Sequence, residues 1–275
     1  MIVFINMVKV YCFCIFLIIP PLYLSADDNF IPEDLWVTRE NGQPQIIFDF
    51  QGNNVTKKNG ENGIIEKGIF KIEYVNNVPF LIINWQKGIT NKYLMLVNEN
   101  NFMLLYDRDN VEPLYTLYYC GKIIPHIVWY GQGLYDPNYI TASSSLTENN
   151  ISYPPSNINK IINKAWAEGV SGYGINETVT LVAGQMTRLY ISIGYVSYSH
   201  PELYTENSRP KKIRVTINEK SIEIMLKDTP AYQTIDISAF DNTFITFTTI
   251  QILEVYPGKK YKDTCINSII NHFSQ

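Results

Sequence analysis

The chain has 275 residues, of which 46% are hydrophobic, and this is enough for one or two ordinary hydrophobic cores. Its formal net charge is −4, from 22 basic and 26 acidic residues. No basic field of the kind that follows a phosphate backbone is present, which argues against a nucleic-acid partner.

Residues 1–26 have the pattern of a secretory signal peptide. Lys9 precedes an apolar run over positions 10–24, and the small residues Ser25 and Ala26 follow it. The run is too short for a comfortable membrane span. We predict cleavage after Ala26, no membrane span in the mature chain, and a secreted or periplasmic location. An uncleaved anchor is the alternative.

Removal of this leader leaves Cys120 and Cys265 as the cysteines of the mature chain. An exported chain enters a compartment that permits disulfides. A Cys120–Cys265 bridge would close a long loop, which chain-entropy theory values at about 5 kcal/mol. The alternative is two buried free thiols.

Residues 27–130 are predicted to form a β-meander. Short apolar stretches alternate with turn clusters rich in Asn and Gly, which is typical of hairpins. The predicted strands cover 45–50, 68–74, 80–85, 93–97, 102–106 and 114–119. Strands at this spacing suggest a small barrel or a strongly twisted sheet that holds a partner or a small ligand.

A linker is predicted at residues 131–138, where Gly131, Gly133 and Pro137 break the pattern. Residues 139–275 then alternate polar with apolar positions, as half-buried strands do. The predicted strands cover 179–182, 188–195, 212–218, 221–226, 232–237 and 244–256, after one short helical turn that begins at Ile158. The fold class is therefore all-β, with a barrel-like or meander domain before a β-sandwich.

The segment from Ala165 to Leu181 is a loop that leads into a strand. Gly169, Gly172 and Gly174 permit positive φ and a tight path, so the loop can hold Trp166 or Tyr173 at an exposed rim. The alternative is that Trp166 caps one end of the sandwich.

We expect no catalytic residues, no metal and no cofactor. His126, His200 and His272 lie far apart in sequence and have no ligand partners at metal-binding spacing. The segment from Gly169 to Tyr173 lacks the second glycine of a nucleophile elbow. Asp107 and Asp109 lie between two predicted strands and are interpreted as a solvated turn.

Aromatic, amide and guanidinium side chains crowd the turns of the second half. An aromatic plate covers the C–H face of a sugar ring, and polar side chains hydrogen-bond its hydroxyls. The predicted ligand-binding residues are Trp166, Glu168, Tyr173, Tyr195, Tyr204, Asn207 and Arg209. The alternative is that Asn207 and Arg209 pin a loop to a strand end, while the tyrosines cover the sandwich edge.

Four segments carry a resemblance to a known family: 165–169 with 172–177, 191–195, Tyr204 with 207–212, and 255–266. Over residues 139–272 the chain resembles the glycan-binding domain found on secreted bacterial NADases, a discoidin-like, galactose-binding-type jelly roll. The resemblance implies a non-catalytic module that attaches to glycan. Lys160, Asn163 and Lys164 depart from the family pattern ahead of Trp166, which puts any hydroxyl or cation network there in doubt.

The sequence thus predicts an exported, non-catalytic protein that binds a glycan or a glycosylated surface with loops at one end of a β-sandwich. A protein–protein scaffold of the cell envelope, in which the same loops dock another chain, is the first alternative. A hydrolase with an unrecognised site is the second.

Overall fold

The computed structural model describes residues 30–272, apart from 41–42, 61–62, 99–100, 111, 121–139, 160–161, 184–186 and 241–245. Strands make up most of the described chain, so the predicted all-β class is confirmed. None of the helices in these ranges is long and apolar enough to cross a membrane. The predicted signal peptide and the linker at 131–138 lie outside the described residues, and the domain boundaries stay a prediction.

The first half is a closed barrel of eight antiparallel strands in sequence order. Its strands are β1 (Asp34–Glu40), β2 (Gln43–Gln51), β3 (Asn54–Asn59), β4 (Ile65–Val75), β5 (Val78–Trp85), β6 (Thr90–Asn98), β7 (Phe102–Tyr106) and β8 (Tyr115–Tyr119). Pairing of β1 with β8, at Trp36 opposite Tyr119 and Val37 opposite Tyr118, closes the barrel. Closure leaves no exposed sheet edge.

Two barrel strands, β1 and β3, are absent from the sequence prediction. The sequence of β3, Asn-Val-Thr-Lys-Lys-Asn, is too polar to suggest a strand, and Val55 is its one buried residue. The strand forms because it pairs on both sides, with β2 and with β4. Tertiary pairing here overrides the local preference for a turn.

The second half is a β-sandwich of two main sheets. Its elements are β9 (Ile140–Ala142), β10 (Thr147–Glu148), β11 (Ile151–Ser152), a 3-10 helix (Pro155–Asn159), β12 (Trp166–Ala167), β13 (Thr178–Ala183), β14 (Arg188–Ile193), α1 (Glu202–Glu206), β15 (Arg209–Ile217), β16 (Lys220–Met225), β17 (Gln233–Asp236), β18 (Thr246–Tyr256) and β19 (Cys265–His272). One sheet has the order β12-β19-β14-β17 and the other the order β16-β15-β18-β13-β9.

Three hairpins close with two residues at positive φ, the geometry that matches the twist of antiparallel strands. The pairs are Asn76-Asn77 between β4 and β5, Asn149-Asn150 between β10 and β11, and Asn218-Glu219 between β15 and β16. Asparagine tolerates the left-handed region better than most residues. Turn clusters rich in asparagine thus close hairpins here, as the sequence predicts for the first half.

Apolar side chains from both sheets fill the sandwich interior. Leu189, Ile191 and Ile193 alternate along β14 and point inward, and Val215 and Ile250 face them from the other sheet. The opposite face of β14 carries Tyr190, which belongs to a different cluster. Strand β14 therefore buries side chains on both faces of the sheet β12-β19-β14-β17, in two different hydrophobic clusters.

A third hydrophobic core joins the barrel to the sandwich. Strand β7 is buried along its whole length. Met103 and Leu105 face the barrel interior, while Phe102, Leu104 and Tyr106 face outward. The Phe102 ring packs edge-on against Tyr190, with ring centroids 5.4 Å apart.

Further sandwich residues complete this shared core, among them Val196, Tyr204, Tyr232 and Ile270. The outer wall of the barrel and the outer face of one sandwich sheet thus bury each other. An interface of this kind opposes the relative motion expected of domains joined by a polar contact.

Hydrogen bonds fix the register of the two halves. The Asn98 side chain donates to the Tyr232 carbonyl oxygen at 2.8 Å and to the Thr234 hydroxyl at 3.0 Å. The backbone N–H of Tyr232 donates to the Val97 carbonyl oxygen at 2.8 Å. These bonds join the end of β6 to the start of β17.

Asp109 supplies a second polar connection. Its carboxylate accepts hydrogen bonds from the Ser197 hydroxyl at 3.0 Å, the Tyr198 N–H at 2.6 Å and the Ser199 N–H at 3.0 Å. The interpretation of this turn as merely solvated is therefore wrong for Asp109. The carboxylate holds the loop after β14 against the barrel.

The two cysteines of the described chain are free thiols. Cys120 follows β8, and its N–H donates to the Leu35 carbonyl oxygen at 2.8 Å. Cys265 begins β19 and is buried among Ala165 and Ala167. The possible Cys120–Cys265 disulfide is therefore not formed in this structure, and the alternative of two free thiols is the one observed. Burial raises the pKa of the Cys265 thiol well above its ordinary value.

We predict that Phe102→Ala lowers the free energy of unfolding by about 3–5 kcal/mol, since it leaves a cavity in the shared core. In the wild type, denaturant unfolding followed by hydrogen-exchange mass spectrometry should show that peptides of β4 in the barrel and β15 in the sandwich lose protection in one transition. The exposed Ile69, 60% accessible on β4, offers a control, because Ile69→Ala should change stability little. Two separate transitions in the wild-type chain would contradict a shared core.

Candidate functional site

Two loops of the sandwich meet around one buried carboxylate. The first runs from Glu168 to Glu177 between β12 and β13, and the second runs from Pro257 to Thr264 between β18 and β19. Glu168 is fully buried. Its Oε2 accepts the Val170 N–H at 2.9 Å, and its Oε1 accepts the Thr264 N–H at 3.1 Å. Glu168 therefore ties the first loop to the second, and its predicted role as a ligand contact is wrong.

Gly174 makes room for this carboxylate. Its φ is +61°, and a Cβ atom on it would lie 2.3 Å from Cγ of Glu168. The Thr264 hydroxyl donates to the Tyr173 carbonyl oxygen at 2.8 Å, which fixes the residue before the glycine. Burial raises the pKa of Glu168, and the two backbone N–H groups partly oppose that rise.

Trp166 lies in the sandwich core, fully buried, and not at an exposed rim. Its indole N–H donates to the Ser144 carbonyl oxygen at 3.0 Å. Its backbone pairs with Ile266 in β19. The prediction that Trp166 contacts a ligand is therefore wrong, because its ring packs inside the sandwich and its one polar atom is satisfied.

Tyr204, Asn207 and Arg209 also have structural positions. Arg209 is 5% exposed and binds Asp228 through two hydrogen bonds, Nε to Oδ1 at 2.7 Å and Nη2 to Oδ2 at 2.8 Å. The Tyr204 hydroxyl donates to Oδ1 of Asp228 at 3.1 Å. Asn207 caps α1, with its side chain donating to the Leu203 carbonyl oxygen at 2.9 Å.

These contacts correct the prediction that Tyr204, Asn207 and Arg209 bind a ligand. The guanidinium is almost completely buried and donates four hydrogen bonds, two to Asp228 and two from Nη1 to the carbonyl oxygens of Tyr204 and Asn207, so its donors are used inside the protein. The three side chains instead pin the α1 segment to the start of β15. This is the alternative that the sequence left open for Asn207 and Arg209.

Tyr173 and Tyr195 keep accessible rings. Tyr173 is 37% exposed in the first loop. Tyr195 is half-buried, its hydroxyl donates to the Asn163 carbonyl oxygen at 3.1 Å, and burial raises its pKa to about 12. The Tyr195 ring lies 6.2 Å from the Tyr153 ring, edge to face. Of the predicted contact residues, these two remain candidates.

Lysines of the second loop stand over tyrosine rings. Lys262 Nζ lies 5.8 Å from the Tyr173 ring centroid, and Lys260 Nζ lies 4.8 Å from the Tyr261 ring centroid. Tyr261 is half-buried. The pKa of Tyr153 is raised mainly by burial, and Cys265, Glu148 and Tyr261 add smaller contributions, which places Tyr261 near Tyr153. We call the set Tyr153, Tyr173, Tyr195, Tyr261, Lys260 and Lys262 the tyrosine–lysine surface.

Four members of this surface, Tyr153, Tyr261, Lys260 and Lys262, are missing from the sequence prediction. The run Lys259-Lys260-Tyr261-Lys262 was a usable signal, because basic residues interleaved with an aromatic, directly after Pro257-Gly258, are typical of an exposed loop. Tyr153 had no such signal, since only the fold brings it beside Tyr195.

The tyrosine–lysine surface offers rings, hydroxyls and ammonium groups. These groups can stack, donate hydrogen bonds and attract anions. Within the part of the chain that the structure describes, no group of three or more His, Cys, Asp and Glu side chains is arranged to hold a metal ion.

We predict that Gly174→Ala is much more destabilising than Gly52→Ala. Both glycines have similar positive φ, +61° and +57°, but only the Gly174 Cβ would collide with a neighbour. The backbone strain is therefore common to both variants, and the difference reports the contact with Glu168. Thermal unfolding of both variants measures it, and equal losses would show that Glu168 does not need this space.

We predict that Glu168 makes stability fall as pH rises. Its folded pKa is raised above the ordinary 4.5, so the folded state holds the proton more tightly than the unfolded state. The wild type should therefore lose stability relative to Glu168→Gln as the pH rises from below the ordinary carboxyl pKa through the raised pKa of Glu168. Urea unfolding of both chains across that range tests this, and a difference that stays constant with pH would contradict it.

Comparison with known proteins supports the sandwich assignment. Residues 129–272, more than half of the chain, match the family model of the NAD glycohydrolase translocation F5/8 type C domain. This domain is a discoidin-like β-sandwich, as observed here. No curated protein matches the chain.

Three solved structures align weakly. A family two carbohydrate esterase from Cellvibrio japonicus is 14% identical with a TM-score of 0.28, over 52% of this chain and 32% of the esterase. A GH31 alpha-xylosidase from Xanthomonas citri is 8% identical with a TM-score of 0.23, over 86% of this chain and 29% of the enzyme.

A DUF4465 family protein from Bacteroides ovatus is 10% identical with a TM-score of 0.20, over 87% of this chain and 100% of that protein. The chain spans about a third of the length of the esterase and the xylosidase. Similarities this low carry no argument about function. The match over residues 129–272 covers more than half of the chain, and the chain therefore belongs to the family of the NAD glycohydrolase translocation F5/8 type C domain.

Proposed function

We propose that the protein is an exported, non-catalytic carbohydrate-binding protein that contacts a glycan or a glycosylated surface through the tyrosine–lysine surface. The observation that carries the proposal is the exposed ring of Tyr173, held in place by Thr264 and flanked by Lys262. A fixed ring can cover the apolar face of a sugar without first losing conformational freedom.

Charge indicates which sugars suit this surface. The loop from Pro257 to Thr264 carries Lys259, Lys260 and Lys262 against the carboxylate of Asp263, and Lys260 Nζ also lies 3.5 Å from Oε2 of Glu206 outside the loop. All three lysines are exposed. An acidic sugar, with a carboxylate or a sulfate, therefore fits better than a neutral one.

A single sugar contact of this kind should bind weakly. A Kd near 1 mM corresponds to about −4 kcal/mol. Retention on a cell surface would then need several protein copies or several sugar units bound together. Multivalent presentation of the glycan is accordingly the right format for a test.

A second candidate is a protein–protein scaffold of the cell envelope. Val170 and Ile175, in the same loop as Tyr173, are 39% and 45% exposed. Exposed apolar side chains beside an aromatic ring are common at protein interfaces. In this case the loop would dock another exported chain.

We predict that the full chain binds acidic glycans on a multivalent array and that Tyr173→Ala weakens binding about tenfold, equivalent to about 1.4 kcal/mol. The full chain is needed because the sandwich shares a core with the barrel. Tyr74→Ala is the matched control, since Tyr74 is 42% exposed on barrel strand β4 and should leave binding unchanged. Because the proposed role is non-catalytic, the arrayed glycans should not be cleaved during the assay.

Lys262→Gln separates charge from stacking. It should reduce binding to acidic glycans severalfold, and added salt should reduce wild-type binding in the same direction. Unchanged binding in both Tyr173→Ala and Lys262→Gln would place the glycan elsewhere. An array without any bound glycan, combined with loss of envelope retention in Val170→Asp and Ile175→Asp, would favour the scaffold.

A further inference from the structure

One mouth of the barrel contains a cavity of about 400 Å³. It lies beside the turn between β5 and β6 and the loop before β8. None of its lining residues belongs to the tyrosine–lysine surface. This volume is within the range of about 300–1,000 Å³ typical of sites for small molecules. Barrel mouths are a usual location for such sites, but the family match does not reach these residues.

We propose that this mouth binds a small planar aromatic anion. The proposal concerns residues of the barrel alone and is independent of glycan binding by the sandwich. It rests on an aromatic floor, a filled barrel below that floor, an apolar rim and an excess of positive charge.

Three aromatic side chains form the floor of the cavity: Trp85, Tyr93 and Tyr115. The Trp85 indole N–H donates to Oδ1 of Asn91 at 2.6 Å, which fixes the ring plane. The Tyr93 and Tyr115 rings pack edge to face with centroids 6.0 Å apart. The floor is therefore rigid before any ligand arrives, and a flat ring system is the shape that it complements.

The barrel interior beneath this floor is full. Phe48, Phe50, Met95 and Leu105 are all buried in one cluster with Trp85 and Tyr93. These side chains occupy the space that a long acyl chain would need. The ligand must consequently be short enough to remain at the mouth.

The rim of the cavity is apolar. Ile65, Ile89 and Leu114 line it and are 56%, 55% and 50% exposed. Large aliphatic side chains that surround a concave site gain free energy when a ligand covers them. This ring of side chains suits the edges of an aromatic ligand.

The charges of the lining residues favour a negatively charged ligand. The lining includes three lysines, Lys57, Lys67 and Lys87, and one carboxylate, Glu66. Lys57 Nζ lies 3.5 Å from Oε2 of Glu66 and 5.4 Å from the Tyr115 ring centroid. Lys67 and Lys87 are exposed and can contact an anion at the rim.

Tyr93 adds a hydrogen-bond donor. Burial holds the pKa of its phenol well above the ordinary value, with smaller contributions from Tyr115, Asp107 and Glu66. The hydroxyl therefore stays protonated at neutral pH and can donate to an anionic oxygen. No lining residue other than Glu66 is negatively charged, so the site as a whole attracts anions.

The test uses anilinonaphthalene sulfonate, a planar aromatic anion, with the full chain in its native state. We expect saturable binding of one equivalent, with energy transfer from tryptophan to the probe. N-phenylnaphthylamine has a similar ring system without the sulfonate and should bind at least severalfold more weakly. Equal affinity for the two probes would overturn the anionic part of the proposal, and absence of native-state binding would overturn all of it.

Rim variants locate the bound probe. Ile89→Asp should weaken binding at least tenfold, because it places a carboxylate where the ligand lies. Ile69→Asp is the matched control: Ile69 is 60% exposed on β4 and does not line the cavity, so binding should be unchanged. Lys67→Gln combined with Lys87→Gln should weaken the sulfonate probe more than the neutral one. If Ile89→Asp and Ile69→Asp bind equally well, the probe is not in the mouth.

Discussion

The packing of barrel strands β5, β6 and β7 against the outer face of the sheet β12-β19-β14-β17 determines the rest of the structure. Phe102 contacts both Tyr190 and Tyr232, with ring centroids 5.4 Å and 5.3 Å away. The same β7 strand sends Met103 and Leu105 into the barrel. One short strand therefore belongs to two cores, and neither half can move without exposing apolar surface.

This arrangement leaves the two candidate binding regions on separate parts of one rigid body. Buried polar groups then shape each region. Glu168 joins the two sandwich loops, and the Arg209–Asp228 pair anchors α1. Removing one partner of a buried ion pair costs folding free energy. A residue that matches a family motif, such as Arg209, can therefore have a purely structural role. The side chains that can meet a ligand, among them Tyr173 and Lys262, are held by this scaffold.

Much of the fold could be predicted from the sequence. The β7 boundaries, 102–106, agree with the prediction, because an apolar run between turn clusters has few alternatives. The same run also held unused information, since a strand without polar alternation is usually buried on both faces. The shared core was therefore within reach of sequence reasoning. Strand β19 could not be predicted in this way, because the polar residues Asn267 and Ser268 interrupt its apolar pattern. In the structure the Asn267 side chain donates to the Ser192 hydroxyl at 3.1 Å, so it is satisfied inside the protein.

The binding residues were harder to predict. A tryptophan among glycines looks exposed, but Trp166 packs in the sandwich core, and the Ser144 carbonyl oxygen accepts its indole N–H there. The same holds for Arg209, whose partner Asp228 lies on a neighbouring segment. Such pairings depend on the tertiary fold, and side-chain chemistry alone does not reveal them. Tyr173 was correctly placed in an accessible loop, since its glycine neighbours impose a local turn.

The central claim is that barrel and sandwich form one rigid body, and a distance measurement tests it most directly. Spin labels attached through unnatural amino acids at the exposed positions of Lys71 on β4 and Ser221 on β16 report the separation of the two halves. Pulsed electron paramagnetic resonance should give a single narrow distance distribution. A broad distribution, or several distances, would show that the halves move independently and would contradict the shared core.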